Sequence, residues 1–139
     1  MPLQMNAEQL MAFFEEVFPQ LDNAFEVLRL EEMELDMRMK IGEAHLRPGG
    51  TVSGPSMFTL ADCIVYGAVL AMIGPKALSV TTNCSIDFMR KPEAGVDLIG
   101  KCKLLKLGRA LAVGDVLIYS EGMDKPVARA TLTYSIPPK

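Results

Sequence analysis

"SGPSMFTLADCIVYGAVLAMIGP", residues 53–75, is apolar around almost the whole circumference of a helix. A helix of that kind has no solvent face, so the rest of the chain must wrap it. Between Pro48 and Pro75, Asp62 carries the only side chain ionised at neutral pH. Burying a lone carboxylate is strongly unfavourable unless hydrogen bonds or a partner charge compensate. The run from Met57 to Ile73 is shorter than the ~20 residues of a typical membrane span and is interrupted by Asp62, so it reads as a core helix. Upstream, "EAHLRPGGTVSGP", residues 43–55, concentrates Gly and Pro and reads as a loop that fixes where the helix begins; Gly74-Pro75 ends it.

The flanking segments supply the wrapping. In "NAEQLMAFFEEVFPQL", residues 6–21, Leu10, Phe13, Phe14 and Val17 recur at helical spacing, Asn6 is placed to cap, and Pro19 ends the run. "AFEVLRLEEMELDMRMKIG", residues 24–42, alternates apolar and charged residues and predicts one half-exposed strand. Four more strands are predicted over Leu78–Met89, Val96–Leu107, Ala110–Ser120 and Pro126–Ile136, broken at Pro92–Gly95, Gly108-Arg109 and Gly122–Asp124. Tight turns make consecutive strands antiparallel, so the expected architecture is α+β: a long central helix in a curved antiparallel sheet of five to six strands, with a short N-terminal helix. Strand parity groups Thr81 with Asn83, Ser85 and Asp87, opposite Val80, Cys84 and Ile86.

Composition narrows the function. At 139 residues the chain is one domain, 1–139, and 50% hydrophobic residues exceed what a small monomer hides, which predicts a homo-oligomer, a dimer or a dimer of dimers. A net charge of −3 lacks the basic footprint of a nucleic-acid binder. Cys63, Cys84 and Cys102 are scattered and His45 is the single histidine, so neither a disulfide framework nor a metal site is expected, and a reducing cytoplasm fits. Glu8, Glu15 and Glu16 occupy the place of a basic, apolar secretory leader, and no membrane insertion is expected. His45 reads as a loop hydrogen bonder, Ser53 as a helix cap, and Cys63 as a small buried residue.

"RPGGTVSGPSMFTLAD" (47–62), "SVTTNCSIDFMRKPEAG" (79–95) and "LLKLGRALAVGDVLIYSEG" (104–122) resemble the corresponding segments of PaaI-like acyl-CoA thioesterases of the hotdog fold. In that family a His-Gly-Gly turn opens the central helix and a carboxylate follows nine residues after the His; here Ser53-Gly54-Pro55 holds the turn, and Asp62 lies nine residues after Ser53. Arg47 stands where an Asn or Gln is common. The resemblance implies hydrolysis of acyl-CoA, with the Gly54 amide on the thioester carbonyl, Asp62 as general base or nucleophile, and Thr81 beside it. It further implies substrate or CoA contacts at Arg47, Tyr66, Phe88, Arg90, Lys91, Lys106, Gly108 and Arg109. No cofactor is implied, CoA being part of the substrate.

Elementary chemistry agrees with that division. A helix N-terminus supplies free N–H groups and a positive dipole end for a developing oxyanion, and Gly54 has no side chain to block a ligand. Asp62 follows about two helical turns later, roughly 11 Å along the axis, too far for one carbonyl to touch both on one rigid helix. The resemblance implies the remedy, a site built across a dimer interface. Two other readings remain open: a non-catalytic acyl-CoA binder, and an enoyl-thioester hydratase or dehydratase, which would want a histidine better placed than His45.

Overall fold

Helix α2, Gly54–Ile73, lies in the hollow of a curved antiparallel sheet. The structure, a computed structural model, describes residues 2–19, 24–76 and 78–138. The remaining elements are α1 (Ala7–Val17), β1 (Phe25–Glu31), β2 (Glu34–Met39), β3 (Val80–Phe88), β4 (Leu98–Leu107), β5 (Leu111–Ser120) and β6 (Ala128–Ser135). The six strands lie in the order β1-β2-β4-β5-β6-β3, so β1 and β3 are the edges. This is a hotdog domain, as the sequence predicted.

The sheet can close around α2 because glycine lines the contact. A Cβ on Gly100 of β4 would lie 3.2 Å from Ile64, and one on Gly114 of β5 would lie 3.1 Å from Val65. Leu60, Ile64, Val65 and Leu70 are completely buried. An 18-residue window of α2 has a mean hydropathy of 1.8, enough to cross a membrane by composition, yet 78% of it is buried inside the protein. Helix α1 is held by a capping box, with the Asn6 side chain accepting from the Gln9 N–H and the Gln9 side chain accepting from the Asn6 N–H. It buries Leu10 and Phe14. Phe14 and Phe18 pack edge-on against Tyr66 of α2, at 5.9 and 5.6 Å between ring centres.

Two expectations are corrected. The single strand expected over residues 24–42 is a hairpin, β1 pairing with β2 around Glu32-Met33. The turn has no Gly, Pro or Asn to announce it: Met33 itself takes the left-handed conformation at φ 65. Tertiary bonds hold it there, the Leu104 N–H donating to the Met33 carbonyl at 2.8 Å and the Met33 N–H to the Met72 sulfur at 3.3 Å. The second correction is the parity of β3. Thr81 pairs with Tyr134 and Asn83 with Thr133, leaving Thr82 as a bulge residue. The extra residue re-aims the chain, so Thr81 falls on the inner face and not with Asn83, Ser85 and Asp87, which lie on the outer, more exposed one.

Candidate active site

The start of α2 is built by the Gly-Pro loop before it. Leu46 and Val52 bridge, the Arg47 N–H donates to the Thr51 carbonyl at 2.8 Å, and the tip turns through Gly49 and Gly50 at φ 99 and 82, a region open to glycine. The His45 carbonyl accepts from the Ser53 N–H at 2.8 Å and from the Ser56 hydroxyl at 3.2 Å, while His45 Nδ1 accepts from the Gly42 N–H. His45 is therefore a loop hydrogen bonder, and Ser53 is the cap, its Oγ accepting from the Ser56 N–H. The Met57 N–H goes to the Ser53 carbonyl and Pro55 has no N–H. Among the described residues, Gly54 is left as the first-turn donor without a protein acceptor, at the positive end of the helix dipole.

Beside this donor lies a cleft of about 600 Å³ whose walls include Arg47, Gly54, Met57, Phe88, Arg90 and Lys91. Five of these, all but Met57, were named from the sequence and meet here. Phe88 closes on the helix start so tightly that a Cβ on Gly54 would lie 3.3 Å from its ring. Arg90 is oriented by donating Nη1 to the Pro126 carbonyl at 2.8 Å, which leaves its other N–H groups for an anion.

Asp62 sits two turns further along, half-buried between α2, β3 and β6. Its Oδ1 accepts from the Thr81 hydroxyl at 2.5 Å and from the Tyr134 hydroxyl at 2.7 Å, and the same phenol also reaches the Asp62 carbonyl at 3.0 Å. Both donors go to one oxygen; among the described residues Oδ2 has none. Burial, reinforced by the neighbouring Asp62 charge, pushes the Tyr134 phenol far above its usual range, so it remains a donor at every ordinary pH. Burial likewise pushes the Cys63 thiol up to about 12, which leaves it unreactive as a nucleophile near neutrality.

Thr81, Tyr134, Ala112 and Leu107 form one row of cross-strand partners over β3, β6, β5 and β4. The hairpin carrying Lys106, Gly108 and Arg109 continues from that row, at the Asp62 end of the sheet. Phe88, Ala128, Ile118 and Gly100 form another, at the opposite end beside the cleft. Tyr66, placed on the substrate side by the sequence reading, is 4% exposed and stacks in the core between Phe14, Phe18 and Tyr134. Tyr134 escaped that reading. Its signal was available: β6 alternation points Leu132 and Tyr134 inward, and a buried phenol needs an acceptor.

Comparison with known proteins agrees with the fold. The thioesterase superfamily profile matches residues 49–127, and the chain belongs to that family. A protein of Silicibacter sp. TM1040, described as a candidate thioesterase, is 61% identical over 99% of this chain and 96% of its own, with a TM-score of 0.93. A single-residue mutant of the phenylacetic acid degradation protein PaaI from Thermus thermophilus is 28% identical over 91% of this chain and 99% of its own, TM-score 0.71. A Streptococcus mutans protein bound to acetyl CoA shares the fold at 24% identity over 85% of this chain and 92% of its own, TM-score 0.73. No curated protein matches the sequence.

Proposed function

We propose that the protein hydrolyses acyl-CoA thioesters at a site shared between two copies of the chain. The observation that carries the reading is the separation of two chemically unfinished groups, the unpaired Gly54 N–H and the Asp62 Oδ2. Eight residues of helix put about 12 Å between them, and one thioester carbonyl cannot span that. The edge strand β3 supplies a way to join them: it is unpaired on its outer side and flanked by exposed Leu78, Val80, Phe88 and Met89. A two-fold axis through the middle of β3 would pair it antiparallel with its copy, setting the Thr81 end of one chain against the Phe88 end of the other. Asp62 of one protomer then faces Gly54 of its partner.

In such a site the Gly54 amide polarises the acyl carbonyl and holds the oxygen as it becomes negative. Asp62 Oδ2 takes a proton from water while the water oxygen bonds to the acyl carbon; the C–S bond then breaks and the departing CoA sulfur takes up that proton. Direct attack by the same oxygen, through a mixed anhydride, is the other route, and single-turnover labelling of Asp62 from ¹⁸O-water separates the two. Arg47, Arg90 and Lys91 of one chain, with Lys106 and Arg109 of the other, suit the phosphates of CoA, and Gly108 lets its hairpin lie close to the pantetheine arm. The acetyl CoA bound to the related Streptococcus protein supports this choice of thiol. Catalysis then needs no further cofactor, and the cytoplasm, where CoA thioesters circulate, is the compartment proposed.

The test is thiol release from short, medium, long and aromatic acyl-CoAs by the protein and by Asp62→Asn. The expected result is turnover by the former and a loss of ~10²-fold or more in the latter, with the dimer intact on gel filtration. Equal binding of acyl-CoA by both proteins with no turnover by either would leave a non-catalytic acyl-CoA binder.

A further inference from the structure

Two hydroxyls grip the same oxygen of Asp62, and one of them belongs to a residue outside the expected site. We infer that Tyr134 is a positioning residue, which with Thr81 fixes Asp62 Oδ1 and so commits Oδ2 as the oxygen that acts on the thioester. The inference rests on the reading of Asp62 as the acting carboxylate. The Tyr134 phenol donates to Oδ1 at 2.7 Å and to the Asp62 carbonyl at 3.0 Å, so it ties the side chain to its own backbone. Thr81 closes the other side of Oδ1 at 2.5 Å, an approach that the β3 bulge at Thr82 makes possible.

The phenol is itself held. Tyr134 is 3% exposed, and its ring lies 5.9 Å from that of Tyr66, which Phe14 of α1 and Phe18 just after it clamp. Helix α1 thus reaches the carboxylate through a run of aromatic contacts. Among the described residues, the titratable groups facing Asp62 are the Cys63 thiol on its own helix, the Cys84 thiol on β3 and the phenol on β6, with Tyr66 a turn further along α2. All four are pushed up by burial first. Near neutrality all four are uncharged, so removing the Tyr134 hydroxyl changes the hydrogen bonding around Asp62 and not the charge.

Tyr134→Phe keeps the ring and deletes the donor. Losing a donor to a charged carboxylate disfavours that charged form, so on acidification the active state is lost at a higher pH. The expected result is kcat lower by about tenfold, KM within about twofold, and the acidic limb of kcat/KM moved up by roughly one pH unit. Thr81→Val, which removes the other hydroxyl, should move the limb the same way, and Thr81→Ser should restore it. If Tyr134→Phe folds poorly, the Thr81 pair decides the matter by the same readout. A purely structural tyrosine would lower the melting temperature and leave the acidic limb in place, which would overturn the inference while the hydrolase reading stood. Absence of turnover in the unmodified protein would overturn both, and equal turnover by Asp62→Asn would remove Asp62 itself.

Discussion

The first two turns of α2 end in opposite chemical states. At Gly54 the helix opens into a solvent-facing cleft with three cations on its walls and a backbone donor lacking a protein acceptor. At Asp62 the carboxylate is half-buried, and one oxygen is held by two hydroxyls from two strands. The first end is positive, open and supported by a loop; the second is negative, enclosed and supported by the sheet. An open cationic cleft suits a large, charged, variable ligand portion such as a phosphorylated carrier, whereas a rigid carboxylate suits the bond being broken. On the proposed function, one chain carries both halves of a thioesterase site at places its own backbone keeps apart.

Breaking the comparison means showing that both ends work within one chain. Asp62→Asn and Gly54→Val should each be inactive alone, the latter because its new side chain meets the Phe88 ring. Co-expressed, they should recover about a quarter of the unmodified sites, since half of the dimers are mixed and each mixed dimer holds one intact Asp62–Gly54 pair. This is the largest effect expected, a rise from near background. Mixed dimers without recovered turnover would place both residues in a single-chain site or remove one of them from the chemistry.

A smaller effect sharpens the division of labour. Arg90→Ala and Lys91→Ala should each raise KM for acyl-CoA by up to about tenfold, with kcat within about twofold, because they bind a part of the substrate that does not react. The increase should vanish with acyl-pantetheine substrates, which lack the nucleotide phosphates, and should shrink at high ionic strength because both side chains are exposed. A fall in kcat with the pantetheine substrates would move these residues toward the reacting bond.

Much of this was legible in the sequence for a specific reason. An all-apolar helix can only be a centre, and four punctuated alternating runs can only be a sheet around it; the strand bounds came within two residues of the observed ones. What stayed hidden was set by tertiary contact. Met33 turns a hairpin without a turn residue because Leu104 and Met72 hold it, and Thr82 inverts the parity of Thr81 by a bulge that no local pattern marks. The alternation of β6 turns Tyr134 inward, but the identity of its acceptor, 72 residues away, was hidden by the same limit. The family resemblance named Gly54 and Asp62 together through its nine-residue register, but only the sheet register put the Gly108 hairpin at one end and Arg90-Lys91 at the other.

The smallest effect concerns the loop that supports the Gly54 end. Ser53→Ala removes the cap on the Ser56 N–H, as well as the hydroxyl contact with Ser56 at 2.9 Å. Loss of such a cap costs about 1 kcal/mol, or about 3 °C in melting temperature for a domain of this size. Ser53→Gly should cost only a few tenths of that. The first turn would fray toward the cleft, and the Gly54 N–H, which has no other tether, would be the donor that loses its aim. A fall in kcat of about twofold is therefore expected, with the acidic limb of the pH profile unmoved, because Thr81 and Tyr134 hold Asp62 independently of the cap. A moved limb would mean that the two ends of α2 communicate through the helix, and the contrast between them would be one of degree.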